Sequence, residues 1–124
     1  MRLVIRQSKS PNYSSRGGHS VSGVVIHYTA DGPEWDPVRW LCMPAAQASA
    51  HYVIKRNGNI YQLVGLEDKA WHAGRAIWDG SGNVSARTIG IELANAGRLT
   101  TVGGKHFWEV GRTMRRYAGP EPVE

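Results

Sequence analysis

At 124 residues and a net charge of +5, the chain has room for one hydrophobic core and too few residues for two. Hydrophobic residues at 41% and charged residues at 20% are the balance of a globular protein, and no apolar stretch approaches the roughly 18 residues that cross a bilayer. Cys42 is the only cysteine, which excludes an internal disulfide and every multi-cysteine metal pattern, and leaves it as a small apolar packing residue.

Met1 to Lys9 has neither a long apolar run nor a small-residue cleavage site, so the expectation is a chain cytoplasmic as synthesised. From Ser8 to Gly18 the composition of Ser, Gly, Pro and Asn predicts an opening loop. Gly23-Val24-Val25-Ile26-His27-Tyr28 is β-branched and nearly continuous in its apolar character, which predicts an interior strand buried on both faces. Asp31-Gly32-Pro33 breaks it. Asp36-Pro37 then reads as a helix start, with Asp36 as N-cap and Pro37 in the first helical position. Val38, Leu41 and Cys42, with Trp40 alongside, give that helix an apolar stripe until Pro44 stops it.

Ala50 to Lys55 and Asn59 to Val64 are β-rich runs joined by Arg56-Asn57-Gly58, and Asn-Gly between such runs is a strong hairpin signal. Gly65 to Ala86 has no period, so a long aromatic-bearing loop is expected, with a helical turn near Leu66 to Lys69. Thr88 to Leu93 is a second interior strand. Beyond it Gly97, Gly103 and Gly104 mark turns, Phe107 to Tyr117 is open between strand and short helix, and Ala118 to Glu124 reads as a frayed tail.

The positive charge favours a polyanionic partner: nucleic acid, an anionic membrane or an anionic cell wall. Apart from Arg112, Arg115 and Arg116 the basic residues are scattered, so they read as a solvated face and form no nucleic-acid stripe.

Three features carry chemistry. His27 ends an apolar strand, where it serves either as a hydrogen-bonded structural residue or as a metal ligand. Glu92 lies inside another apolar strand, and a carboxylate there needs a cleft, an ion pair or a catalytic task. If the two strands are neighbours, a metal and a general base share one site. Trp71-His72-Ala73-Gly74 joins a stacking ring, an imidazole and a glycine in one loop, and reads either as a ligand wall or as a loop anchored by its indole.

These residues resemble the zinc-dependent N-acetylmuramoyl-L-alanine amidases, which share a fold with peptidoglycan recognition proteins and amidase-type phage lysozymes. The similarity runs from Ser10-Pro11-Asn12-Tyr13 and Arg16 through Val24-Val25-Ile26-His27-Tyr28-Thr29-Ala30 and Ala48-Ser49-Ala50-His51-Tyr52-Val53-Ile54. It continues through Ile60-Tyr61-Gln62-Leu63-Val64, Ala70-Trp71-His72-Ala73-Gly74, Asn83 and Thr88-Ile89-Gly90-Ile91-Glu92-Leu93-Ala94-Asn95.

The resemblance implies an α/β fold, a mixed central β-sheet flanked by helices, in a single domain over residues 1–124. It implies Zn2+ as cofactor, His27 as first zinc ligand and Glu92 as catalytic acid/base, with Trp71, His72, His51 and Asn95 at the substrate. The implied reaction is hydrolysis of the amide between N-acetylmuramic acid and L-alanine of the stem peptide, on peptidoglycan or its muropeptide fragments. The family's two later zinc ligands, in a Gly-His-x-Asp context, have no counterpart after Glu92. The expectation is therefore a domain incomplete at its C-terminus, with one sheet face exposed, and so either marginally stable or prone to self-association. Two alternatives stand beside the enzyme: a non-catalytic peptidoglycan-binding module, and a basic nucleic-acid-associated domain.

Overall fold

The computed structural model describes residues 1–32, 34–110 and 113–119. Pro33, Arg112 and residues 120–124 lie outside the described residues, and with them part of the expected turn, of the basic cluster and of the frayed tail. In chain order the elements are β1 (Ile5–Gln7), β2 (Tyr13–Ser15), β3 (Gly23–Tyr28), α1 (Pro37–Leu41), β4 (Tyr52–Ile54), β5 (Ile60–Gln62) and β6 (Asp68–Ala70). They continue with α2 (Val84–Arg87), β7 (Thr88–Leu93), β8 (Leu99–Val102), β9 (Lys105–Val110) and β10 (Thr113–Arg116).

Five strands make a mixed sheet in the order β1-β5-β4-β7-β3. β7 runs parallel to both β3 and β4, β4 and β5 form the antiparallel hairpin that Asn57-Gly58 announces, and β1 adds in parallel beside β5. Residues paired in register point to the same side of a sheet. Val53, Glu92 and His27 are one such row across β4, β7 and β3. Val38 and Leu41 of α1 pack with Val53, Ala50, Leu63, Val64 and Ala70 in the buried core cluster. Full burial of each Val or Leu side chain there contributes about 1.5–3 kcal/mol. α1 begins as its sequence requires. Asp36 accepts from the Val38 and Arg39 amides at 3.1 and 3.4 Å, a cap worth about 1 kcal/mol.

The opposite face differs from expectation. β3 is an edge strand, and its Val24, Ile26 and Tyr28 are 56%, 57% and 64% exposed. They align with Ile89, Ile91 and Leu93 of β7, and the row extends to Tyr52 and Ile54 of β4, Ile60 of β5 and Ile5 of β1. β3 is thus not an interior strand buried on both faces: a continuous apolar run fixes strand propensity, whereas the neighbours that cover it come from distant sequence.

Three further differences share one cause. The opening loop contains β2, which pairs with β6 from the expected long loop between Gly65 and Ala86. The helical turn expected near Leu66 to Lys69 is a tight turn followed by β6, and α2 closes that loop. Strands of three residues are too short to show a period of two, so their pairing partners define them. Phe107 falls in a strand, not in a short helix: β8, β9 and β10 form an antiparallel sheet, with a turn at Gly103 and Gly104, whose φ of 57° and 71° suit glycine.

No helix among the described residues is long and apolar enough to cross a membrane.

Candidate active site

His27 and Glu92 face each other as register partners near the carboxyl ends of the parallel strands β3 and β7. That end of an open α/β sheet is where ligands bind. His72 comes from the loop after β6 and stacks directly over β7. A Cβ on Gly90 would stand 2.4 Å from His72 Cγ, so only glycine leaves room for the ring.

The hydrogen bonds fix a proton order. The Thr88 hydroxyl donates to Val84 O at 2.7 Å, so its oxygen accepts from His72 Nε2 at 3.1 Å. His72 Nδ1 is then an acceptor, and His27 Nε2 donates to it at 2.9 Å. Neutral His27 keeps its lone pair on Nδ1. Burial lowers the His27 pKa, and it brings His72 down to about 4 with help from the His27 and His51 charges, so both rings are neutral near pH 7.

His51 is fully buried. Its Nδ1 accepts from the Gly90 amide at 3.0 Å and its Nε2 reaches Asp68 O at 3.0 Å, which places it in the architecture beneath Gly90. Arg16, 7% exposed, supports the same floor. Its guanidinium donates to Leu66 O, Ala86 O and Thr88 O at 2.9, 2.9 and 3.1 Å, and Nη2 lies 2.9 Å from His51 Nε2. Trp71 is held by its indole, which donates to Ser14 Oγ at 3.0 Å, while its amide donates to Ser49 Oγ. Asn95 receives a bond from Gly97 N at 2.8 Å and donates its own amide to Thr29 Oγ1, shaping the turn after β7. The structure therefore brings His27, His72, His51 and Glu92 together, and sets Trp71 and Asn95 in the supporting loops.

Glu92 borders a cleft of about 730 Å3 walled by Tyr28, Asp31, Trp35, Trp40, Glu109 and Arg115. Its Oε2 is buried, with no hydrogen-bond partner among the described residues. Burial raises the Glu92 pKa, and the Asp31 charge raises it further. A carboxylate that holds its proton more tightly than usual can both take and return one near neutral pH. His27 and His72 border a second, apolar cleft of about 500 Å3 with Trp78 and Thr88.

A catalytic zinc takes three protein ligands and an open position. His27 Nδ1 is one suitable donor. Among the described residues no group of three or more His, Cys, Asp or Glu is placed to hold a metal ion, so this donor set does not by itself fit the implied zinc.

Sequence reasoning gave no role to Asp31, Trp35, Arg115 or Arg16. Asp31 reads as a strand breaker, Trp35 stands in a stretch without period, and Arg115 belongs to the short basic cluster of Arg112, Arg115 and Arg116, read as part of a solvated face. Arg16 sits in a turn-rich loop where burial has no local signature.

A mixed α/β sheet with an imidazole pair and a buried carboxylate at its strand ends defines the class of this protein. The sequence profile described as N-acetylmuramoyl-L-alanine amidase matches residues 17–118, and the chain belongs to that family. It is 38% identical over 91 residues to N-acetylmuramoyl-L-alanine amidase AmiD of Escherichia coli, covering 68% of this chain and 32% of that protein. It is 31% identical over 120 residues to 1,6-anhydro-N-acetylmuramyl-L-alanine amidase AmpD of Haemophilus influenzae, covering 82% and 65%. The chain thus spans about one third to two thirds of the length of these curated relatives. Among solved structures, a crystal structure of an AmpD derivative superposes with TM-score 0.60 at 28% identity, covering 77% of this chain and 66% of that one. The catalytic domain of XlyA gives 0.57 at 28%, covering 77% and 64%.

Proposed function

We propose that this chain hydrolyses the amide joining N-acetylmuramic acid to L-alanine of the peptidoglycan stem peptide. The observation that carries the reading is Glu92, a half-buried carboxylate whose Oε2 has no hydrogen-bond partner among the described residues, in register with His27 at the rim of an open cleft. In this reading Glu92 takes a proton from the attacking water and returns it to the leaving amine. His72 holds the His27 ring, His51 and Arg16 hold the floor, and Trp71 and Asn95 shape the loops against the substrate. We assign His27 Nδ1 to Zn2+ as a single donor, and no step of the reaction is routed through the metal.

The test is release of free stem-peptide amine from purified muropeptide with zinc supplied, for the wild type and for Glu92→Gln. Turnover by the wild type and none by Glu92→Gln is expected. Equal turnover by both sinks the assignment of Glu92. The incomplete donor set favours a second reading, a peptidoglycan-binding module without turnover. Retention on insoluble peptidoglycan with no amine release would select it.

The exposed sheet face supports self-association. The chain exposes 8467 Å2, whereas a compact monomer of 13.7 kDa exposes about 6,600 Å2. The excess for one chain, roughly 1,900 Å2, is about twice what one partner buries in an interface of standard size.

A further inference from the structure

We propose that Thr88 is a positioning residue that sets, through His72, which nitrogen of His27 carries the proton. The inference rests on the amidase reading only for the use made of the free His27 nitrogen; the proton placement belongs to the metal-free chain.

Thr88 stands where α2 ends and β7 begins, and it is fully buried. Its place four residues after Val84 lets the side chain fold back onto the helix, and its hydroxyl donates to Val84 O at 2.7 Å. A carbonyl only accepts, so that contact consumes the single proton the hydroxyl has. Toward His72 Nε2, 3.1 Å away, the same oxygen offers only lone pairs. The His72 proton is thereby held at Nε2 and its Nδ1 accepts, which in turn holds the His27 proton at Nε2, 2.9 Å away. Both rings are neutral near pH 7, so the remaining lone pair of His27 lies on Nδ1. A buried hydroxyl that does not touch His27 thus decides which of its nitrogens is free.

The position of His72 comes from contacts that do not use this hydroxyl. The amide of Ala73, the next residue, donates to Ser85 Oγ at 3.0 Å, and Gly90 leaves the space into which the ring fits. The ring therefore stays beside residue 88 when the hydroxyl is lost. What the hydroxyl adds is direction. A run of hydrogen bonds that starts at a carbonyl is ordered one way, and reversing it moves the His27 proton to Nδ1.

Valine has the shape of threonine without the oxygen, so Thr88→Val takes the acceptor from His72 Nε2. The reverse order, in which His72 Nδ1 donates to His27 Nε2, then competes. A hydrogen bond of this kind shifts the ratio of the two orders by roughly tenfold. Serine keeps the hydroxyl and the order.

The test reads the tautomers directly, by long-range proton–nitrogen NMR correlations of the imidazole rings in the isotope-labelled chain, stripped of metal with a chelator. In the wild type, His27 and His72 should each carry their proton on Nε2, and Thr88→Ser should keep that pattern. Thr88→Val should shift the His27 ratio toward the Nδ1–H form by roughly tenfold. A wild-type His27 protonated on Nδ1 overturns the proposal without any variant, so a Thr88→Val chain that fails to fold does not shelter it. An unchanged ratio in Thr88→Val, or a Thr88→Ser chain that behaves like Thr88→Val, overturns it as well. None of these readouts involves turnover, so this inference and the amidase reading can fail separately.

Discussion

Replacing Arg16 by lysine keeps the charge and removes the fork. The guanidinium now reaches Leu66 O from Nε and Ala86 O and Thr88 O from Nη1, so one side chain ties the turn before β6 to the junction of α2 and β7. An ammonium on a lysine stem can reach one end of this span and leaves the other carbonyl group without a donor. Charged hydrogen bonds contribute about 1.5–3 kcal/mol each, and an orphaned buried acceptor costs about 1–3 kcal/mol. A loss of about 3 kcal/mol follows, a large share of the stability of a small domain. Urea unfolding followed by tryptophan fluorescence should show the midpoint falling by more than 1 M at unchanged slope. The thermal midpoint should fall by roughly 10 °C. A change below about 1 kcal/mol would refute the reasoning, since it would mean that water already satisfies these carbonyls.

Gly90→Ala places a methyl group inside the His72 ring envelope, so the His27–His72 bond should break; an unperturbed pair of imidazole signals in NMR would count against that geometry. Burial lowers the pKa of His27, His51 and His72 from the ordinary 6.5. The unfolded chain therefore takes up protons first, and stability that is full above that value declines as pH falls below it. Glu92, raised by burial, works in the opposite direction, but three imidazoles outweigh one carboxylate. A urea midpoint that stays flat between pH 7.5 and 5 would contradict this. His27→Ala should lower zinc content in metal analysis of the purified chain, and unchanged zinc would remove His27 from the metal. Ile26→Glu, on the exposed sheet face, should shift sedimentation toward the monomer; a wild type already monomeric at high concentration would end the self-association reading.

What the sequence disclosed follows the range of the interactions involved. The Asp36-Pro37 helix start, the Asn57-Gly58 hairpin and the strands carrying His27 and Glu92 are local patterns, and the structure keeps them. The edge position of β3 and the β2–β6 pair arise between residues far apart in the chain, where periodicity is silent. At the site, His27 and Glu92 stand out because polar groups interrupt apolar runs. Asp31 carries no such contrast. Its burial depends on Arg56, which lies beyond α1 at the hairpin turn, so no window around Asp31 reveals it.

The β8–β10 sheet shares no strand pairing with the five strands that hold His27 and Glu92. Residues can be added to or removed from its turns without slipping the register of the reactive pair. Yet it sends Glu109 and Arg115 into the cleft wall. The molecule thus separates two kinds of change: His27 and Glu92 are tied to the five-stranded sheet, while part of the cleft wall rides on an appendage that can be rebuilt, shortened or exchanged piecemeal.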